Sequence, residues 1–231
     1  DNFVSFSESS AGFTPNDSNA SAHIIVYDLT TLGISASDLG SFNHHGFSFS
    51  DDFDTPSMLW LDEDKMDLAR WPNDGEVVST DDLIIPSNWE DLRSEVSGAV
   101  SYENILETGT AKSSSDGVKF TLNSARNAKI ASWEFFKTSQ EKIWMDGVLH
   151  SSWEWEYNQV QSIESSQIKM QYGSNTPFTI SNVDGKMINS ATKVSHFHFE
   201  NIPEELDAEG EYFIDRGNMK LYFYPPVNWE T

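Results

Sequence analysis

The stretch Trp144-Met-Asp-Gly-Val-Leu-His-Ser-Ser-Trp153-Glu-Trp155 lies within a series of strand-like segments. Residues 142–146 and 153–163 are rich in aromatic and β-branched side chains, and Asp146-Gly147 is a typical turn dipeptide. Further short segments with turn residues between them occur at 117–122, 130–136, 166–171, 177–180, 193–199, 211–215 and 219–224. Such spacing predicts an all-β fold: an antiparallel β-sandwich, or a barrel-like variant of it, with long loops and at most one or two short helices.

The first half of the chain adds shorter elements. Residues 23–29 predict a strand, and short strands are expected at 47–49 and 58–61. A tight turn at 62–65 precedes an alternating segment, 65–71, that predicts one strand. Residues 80–110 are the least strand-like, with one short helix expected after an N-cap at Ser87. We predict an N-terminal segment with a weak strand over 1–22, one β-sandwich domain over 23–226 and a tail over 227–231.

Charge and composition restrict the partners. The chain has 37 acidic and 14 basic residues, a formal net charge of −23, and no cysteine. This charge repels phosphate backbones and anionic surfaces, so we expect neither nucleic acid nor membrane as a partner, whereas neutral glycans meet no such repulsion. The acidity is equally typical of adaptation to salty surroundings.

The absence of cysteine excludes disulfides and thiolate chemistry. No signal peptide begins the chain, and residue 1 resembles a cut point within a longer protein. A bacterial protein that is secreted or on the cell surface, with its signal removed, fits these features, and so does cytosolic expression.

The chain contains eight tryptophans, and because tryptophan is the residue that stacks on sugar rings, this number suggests contact with sugars. Trp153, Trp155 and Tyr157 share one face of a predicted strand, and such rings can stack on the apolar face of a pyranose. The alternative is that this face belongs to the core, since Glu154, Glu156 and Asn158 are expected to face solvent. We expect Trp71, Trp133 and Trp144 to be structural. The candidate carbohydrate-binding residues are Trp155, Trp153, Trp89 in the loop-like region, Tyr157 in support, and Arg126 in a small basic spot.

Two groups offer metal ligands. Asp51, Asp52 and Asp54 supply the oxygen ligands that suit a structural calcium ion, although they match no standard calcium loop. His196 and His198 share a strand face, which permits metal binding, but spacing identifies no third ligand. We therefore expect ordinary, partly buried imidazoles, and no cofactor is required.

The sequence contains no recognisable catalytic pattern. There is no nucleophile elbow and no phosphate-binding glycine loop. Carboxylate pairs such as Glu154 with Glu156, or Glu204 with Glu205, are expected by chance in so acidic a chain. Glu204, Glu205 and Asp207 lie in a Pro-Glu-Glu-Leu-Asp turn, where we expect them to cap the turn or to accept hydrogen bonds from the backbone. We expect no catalytic activity from this chain alone.

Four pieces of the sequence carry a family resemblance. They are Val26-Tyr-Asp-Leu-Thr-Thr-Leu-Gly-Ile34, Met66-Asp-Leu-Ala-Arg-Trp-Pro-Asn73, Trp144-Met-Asp-Gly with Trp153, and residues 199–215 followed by Lys220-Leu-Tyr-Phe-Tyr-Pro225. In order and spacing, from about residue 12 to 226, the chain resembles the β-sandwich domain that accompanies right-handed parallel β-helix enzymes acting on polysaccharides, among bacterial glycoside hydrolases and lyases. Trp155 departs from that pattern, where a small or acidic residue is expected.

The resemblance implies an accessory domain. In that family the catalytic residues lie on β-helix rungs, which this chain lacks, so a β-helix catalytic domain is expected elsewhere in the parent chain. The function implied is a carbohydrate-binding or substrate-positioning module of a polysaccharide-degrading enzyme. The alternative is a purely structural domain that supports the β-helix and binds no ligand of its own.

Overall fold

The computed structural model describes residues 3–46, 56–73, 78–79, 119–121, 128–148, 155–164, 167–171, 196–227 and 229. The strands are β1 (Phe3–Ser5), β2 (Ile25–Asp28), β3 (His45–Gly46), β4 (Trp60–Leu61), β5 (Asp64–Lys65), β6 (Asp67–Leu68), β7 (Arg70–Trp71), β8 (Val78–Ser79), β9 (Lys119–Thr121), β10 (Trp144–Val148), β11 (Trp155–Glu164), β12 (Gln167–Met170), β13 (His196–Glu200), β14 (Glu211–Asp215) and β15 (Lys220–Phe223). The predicted all-β class with few helices is confirmed.

Helical structure in the described part of the chain is short. It comprises α1 (Glu8–Ala11), α2 (Phe135–Thr138), a helical segment at 128–130, and 3-10 turns at Ala20–Ala22, Leu29–Leu32, Ala36–Asp38 and Pro203–Glu205. None of the helices in these ranges combines the length and apolar composition that crossing a membrane requires.

One sheet has five strands in the order β1-β2-β15-β14-β6. All its pairs are antiparallel except β14 with β6, which is parallel. The β14–β15 hairpin is the one that the sequence predicts at 211–215 and 219–224. Its turn is fixed by Asp215, whose carboxylate accepts hydrogen bonds from the backbone N (3.0 Å) and side-chain Nδ2 (2.7 Å) of Asn218.

The other large sheet has eight strands and is antiparallel throughout. Its main order is β7-β13-β10-β11-β12-β9, with β3 paired to β11 and β8 paired to β13. The strands predicted at 117–122, 142–146, 153–163, 166–171 and 193–199 correspond to β9, β10, β11, β12 and β13. The predicted strands at 47–49 and 177–180, and the predicted helix after Ser87, lie outside the described residues.

Aromatic side chains fill the core on both sheets. On the five-stranded sheet, Phe13 packs edge-to-face on Phe135, Phe213 and Tyr222, with ring centroids 5.1–6.0 Å apart. On the eight-stranded sheet, Trp133 is fully buried and makes edge contacts with Trp71 and Phe199. Trp71, Trp133 and Trp144 are all buried, so the prediction that they are structural is confirmed.

The predicted strand at 130–136 is wrong, because the helical segment 128–130, a turn with two irregular residues at 131–134 and the start of α2 occupy these positions. Ile130 and Trp133 are both buried and lie three residues apart, a spacing that shares a face in a helix and not in a strand. The Glu204 carboxylate accepts hydrogen bonds from the backbone N–H groups of Glu134 and Phe135, both at 2.7 Å. This satisfies donors at the start of α2 that a strand would have had to pair elsewhere.

The segment 65–71 is not one strand but three short ones. After the predicted tight turn, which joins β4 to β5, the chain pairs through β6 with β14 and then through β7 with β13. Met66 and Ala69 are buried at the two breaks. The alternation in the sequence is therefore real, but it reflects a segment that passes from one sheet to the other.

Two predictions about β10 and β11 are also wrong. Asp146 and Gly147 do not form a turn, since they lie inside β10 and pair on both sides, with β11 and with β13. Asn158 does not face solvent: its side chain is fully buried, as is Val160 two residues further on. Their face of β11 is the core face, because Met145 and Phe199, which share their row, are also fully buried.

Candidate functional site

The opposite face of the eight-stranded sheet carries polar side chains. Side chains two residues apart on a strand share a face, and residues in register on neighbouring strands lie side by side. Asp146 on β10 is in register with Tyr157 on β11 and with His198 on β13. Glu200, two residues after His198, joins the same face. The strand pairing thus brings together residues that are far apart in sequence.

Asp146, His198 and Glu200 converge closely, and we call them the trio. His198 Nε2 lies 3.4 Å from Glu200 Oε2 and 3.9 Å from Asp146 Oδ2. One ligand atom from each of the three residues lies within 4.8 Å of the others. The side chains are partly accessible, with exposed fractions of 26% for Asp146, 16% for Glu200 and 15% for His198. The trio is therefore open enough to reach a bound molecule.

Two aromatic side chains hold the carboxylates of the trio. The Tyr157 hydroxyl donates a hydrogen bond to Glu200 Oε1, and the Trp155 indole makes a side-chain hydrogen bond to Asp146. Burial and the nearby Glu200 raise the pKa of Tyr157 well above its ordinary value, so the phenol stays a donor. Burial and Glu200 also raise the pKa of Asp146, while His198 and Trp155 offset part of the rise. Asp146 Oδ1 is buried and has no hydrogen-bond partner among the described residues.

A row of aromatic rings runs beside the trio. Successive centroids are 5.6 Å apart for Phe42 and Trp144, 5.0 Å for Trp144 and Tyr157, 4.6 Å for Tyr157 and His45, and 5.2 Å for His45 and Trp155. Trp144 and Tyr157 are buried, whereas Trp155 at the end of the row is 42% exposed. This row places one large, accessible ring next to a polar cluster.

The other end of the row borders a cleft of about 410 Å³. Its lining includes Phe42, Trp144, Gln159, Glu141 and Arg216. The Arg216 guanidinium lies 4.5 Å from the centre of the Phe42 ring and donates from Nη1 to Glu141 Oε2 at 3.1 Å. Trp144 Nε1 and Arg216 Nε are buried donors that find no acceptor within the described ranges.

The structure places two of the candidate carbohydrate-binding residues. Trp155 is exposed and Tyr157 is buried, so Tyr157 contributes its hydroxyl to Glu200 and does not present a free ring face. Trp153, Trp89 and Arg126 lie outside the described residues, as do the candidate calcium ligands Asp51, Asp52 and Asp54.

Sequence reasoning missed Asp146 and Glu200. The one available signal was the spacing His198-Phe-Glu200, which puts both side chains on one strand face. Asp146 joins them only through the pairing of β10 with β13, two strands more than 45 residues apart in the chain. The sequence pairs His198 with His196, whereas the neighbours that the structure gives to the His198 side chain are Glu200 on the same strand and Asp146 on another.

The acidic turn at Pro203–Glu205 has a different arrangement. Glu204 accepts from the backbone at α2, as predicted. Glu205 instead accepts side-chain hydrogen bonds, from Trp133 Nε1 at 2.5 Å and Asn16 Nδ2 at 2.7 Å, and lies 2.8 Å from Lys129 Nζ. Burial raises the pKa of Glu205, and Lys129 and Trp133 counteract that rise. These carboxylates hold the fold together.

Comparisons with known proteins give one distant match. The chain is similar to a solved structure described as a glycoside hydrolase, with 12% sequence identity and a TM-score of 0.46, over 90% of this chain and 27% of that one. The chain thus spans about a quarter of the length of the protein it matches. No protein-family model matches the chain, and no curated protein matches it. A similarity this distant does not transfer a function.

Proposed function

We propose that this chain is a non-catalytic carbohydrate-binding or substrate-positioning module of a secreted bacterial polysaccharide-degrading enzyme, and that it binds glycan through Trp155. The observation that carries the proposal is an indole that is 42% exposed at the end of a continuous aromatic row, where its ring centroid lies 5.2 Å from that of His45. A ring held in one orientation on a strand loses little conformational entropy when a ligand stacks on it.

The surroundings of Trp155 suit a sugar. The apolar C–H face of a pyranose stacks on an aromatic ring, and fixed polar groups orient its hydroxyls. Asp146, Glu200 and His198 offer two acceptors and an imidazole on the same sheet face. The formal net charge of −23 favours a neutral glycan over a sulfated or uronic one.

The resemblance to β-sandwich domains of β-helix enzymes adds the context of this proposal. In that context the polysaccharide is cleaved by a β-helix domain of the parent chain, and this domain holds the substrate. The protein acts outside the cell or on its surface, where polysaccharides are found.

Affinity electrophoresis tests the proposal directly. Wild-type protein is run through native gels that contain soluble galactan, β-glucan, xylan or glycol chitin, beside Trp155→Ala and Trp60→Ala. Trp60 is a matched control, since it is 54% exposed but lies on the separate β4–β5 hairpin. We expect at least one glycan to retard the wild type, and Trp155→Ala to weaken binding about tenfold or more, because one stacked ring contributes roughly 1.5 kcal/mol or more.

The control separates this site from general stickiness. Trp60→Ala should be retarded like the wild type, and none of the three proteins should release reducing sugar from the same glycans. Unchanged retardation of Trp155→Ala contradicts the proposal and favours the purely structural alternative. Release of sugar by the wild type contradicts its non-catalytic part.

A further inference from the structure

We propose that Asp146, His198 and Glu200 form a binding site for a divalent transition-metal ion, for which Zn²⁺ is the suitable probe. The three side chains come from two adjacent strands, β10 and β13, and share one face of the sheet. They supply one nitrogen and two carboxylate groups within 4.8 Å of one another. These are the same three side chains that the proposed function assigns to orienting sugar hydroxyls, but metal binding is measured without glycan and does not require that a sugar binds.

The distances in the trio are close to those of a bound ion. Zinc bonds of about 2.0–2.2 Å in a tetrahedron separate ligand atoms by about 3.3–3.6 Å. His198 Nε2 lies 3.4 Å from Glu200 Oε2, which already has this separation. It lies 3.9 Å from Asp146 Oδ2, and the ligand atoms of all three residues lie within 4.8 Å of one another. Tetrahedral coordination therefore requires the partly exposed Asp146 and Glu200 carboxylates to move closer to the ion.

The residues around the trio act as outer partners of a metal site. Ligand carboxylates are usually held by further hydrogen bonds that orient them toward the ion. Tyr157 donates to Oε1 of Glu200 and leaves Oε2 as the oxygen near His198. Trp155 holds Asp146, whose Oδ1 is buried and has no hydrogen-bond partner in the described part of the chain. Asp146 Oδ2 is the oxygen near His198, so Asp146 carries one oxygen directed at the trio and a second, buried one without a donor among the described residues.

The donor set indicates which class of ion fits. Two carboxylates close together in a chain of formal net charge −23 repel each other, and a cation between them removes that repulsion. Imidazole with carboxylates suits zinc or manganese, whereas calcium takes six to eight oxygen ligands. Three protein ligands leave at least one coordination position for water or for an oxygen of a bound molecule.

Isothermal titration of the metal-free chain with ZnCl₂ tests the site. We expect one zinc ion per chain with micromolar or tighter affinity, and weaker binding of Ca²⁺ and Mg²⁺. His198→Ala should weaken zinc binding at least tenfold, because it removes a ligand. His23→Ala is the matched control, since His23 is an exposed histidine that is not part of the trio and stacks on Tyr224, and this variant should bind zinc like the wild type.

A second variant keeps all three ligands. Tyr157→Phe removes only the hydroxyl that holds Glu200 and should weaken zinc binding about tenfold, the usual effect of losing an outer hydrogen bond. Co²⁺ bound to the wild type should show the intense visible absorption of a four- or five-coordinate site. No zinc heat, a Co²⁺ spectrum of weak octahedral type, or equal zinc affinities for wild type, His198→Ala and Tyr157→Phe would overturn the proposal. If His198→Ala does not fold, as judged by circular dichroism, Tyr157→Phe and the Co²⁺ spectrum decide the question.

Discussion

Two carboxylates come together in the turn at Glu204 and Glu205, and two others in the trio around Asp146. The two clusters differ in the groups that surround the carboxylates. In the turn, fixed donors reach both side chains: backbone N–H groups for Glu204, and an indole, an amide and an ammonium for Glu205. In the trio, Asp146 and Glu200 face each other across a single imidazole, and Asp146 Oδ1 has no hydrogen-bond partner among the described residues.

The difference indicates two roles for buried carboxylates, one in stabilising the fold and one in binding a ligand. A carboxylate that accepts from buried protein donors or pairs with a cation, as Glu205 does through Oε1 and Oε2 respectively, stabilises the fold, and removing it leaves those groups unsatisfied. A pair that repels and leaves an acceptor unmatched costs stability in the absence of a ligand, an arrangement found where proteins bind something. The two clusters should therefore respond in opposite ways to neutralisation.

Glu205→Ala should cause the largest loss of stability. The substitution leaves the buried Trp133 N–H and the Asn16 amide without their hydrogen-bond acceptor. It also removes the carboxylate nearest to Lys129, whose side chain is 31% exposed. We expect the free energy of unfolding to fall by about 3 kcal/mol. Urea unfolding followed by tryptophan fluorescence measures this change.

The control for this substitution is Glu134→Ala. Glu134 also pairs with a lysine, Lys137 at 2.6 Å, but both side chains are largely exposed, at 65% and 41%. We expect a change within about 0.5 kcal/mol, because exposed ion pairs contribute little. Equal losses in the two variants would show that the Glu205 contacts do not stabilise the fold as the turn geometry indicates.

Glu211 extends the turn cluster and adds a pH dependence. Its Oε2 accepts from the backbone N–H groups of Asp207 and Ala208, both at 3.1 Å, but Oε1 is buried without a hydrogen-bond partner among the described residues. Burial raises the pKa of Glu211 to about 8. The folded state therefore binds a proton that the unfolded state releases near pH 4.5, and stability should decline as pH rises from about 4.5 to 8.

Glu211→Gln should remove this decline. Glutamine keeps the accepting oxygen and carries no charge, so the variant should gain about 2–4 kcal/mol over the wild type between pH 5 and pH 8. Parallel urea titrations at both pH values measure the difference. Glu209→Gln, an exposed carboxylate two residues away, should follow the wild type. A constant offset between Glu211→Gln and wild type would mean that Glu211 is already ionised at pH 5.

The sequence predicts much of the sheet structure because its signals are local. Alternation and turn residues locate β2, β14 and β15 within a few residues, and the Pro-Glu-Glu turn is expected to bond backbone donors. Residues 130–136, which join two short helical pieces through a turn, are mistaken for a strand because their apolar residues also fit a short β pattern. The carboxylate that satisfies the backbone donors there, Glu204, lies about 70 residues away in the chain. Long-range partners decide such cases.

The site is less predictable than the fold, for the same reason. Trp155 is recognised as a candidate from its type and position, but which face of β11 is buried depends on Met145 and Phe199 on neighbouring strands. Asp146 looks like a turn residue, and only its register with His198 reveals the trio. Residue type is a local property, whereas convergence of side chains is a property of strand pairing.

The trio should give the smallest change in stability, and its sign distinguishes the two clusters. Asp146→Asn removes one of two repelling carboxylates and keeps an oxygen that can accept the Trp155 hydrogen bond. In the presence of a chelator we expect the free energy of unfolding to stay constant or to rise by up to about 1 kcal/mol, because neutralisation relieves repulsion and desolvation together.

Urea unfolding at pH 7.5 measures this change in the free energy of unfolding. Glu205→Gln is the matched neutralisation in the turn, and it should lower the stability. A loss for Asp146→Asn as large as that of Glu205→Gln would mean that His198 is a charged partner that already satisfies the trio, and the contrast between the two clusters would disappear.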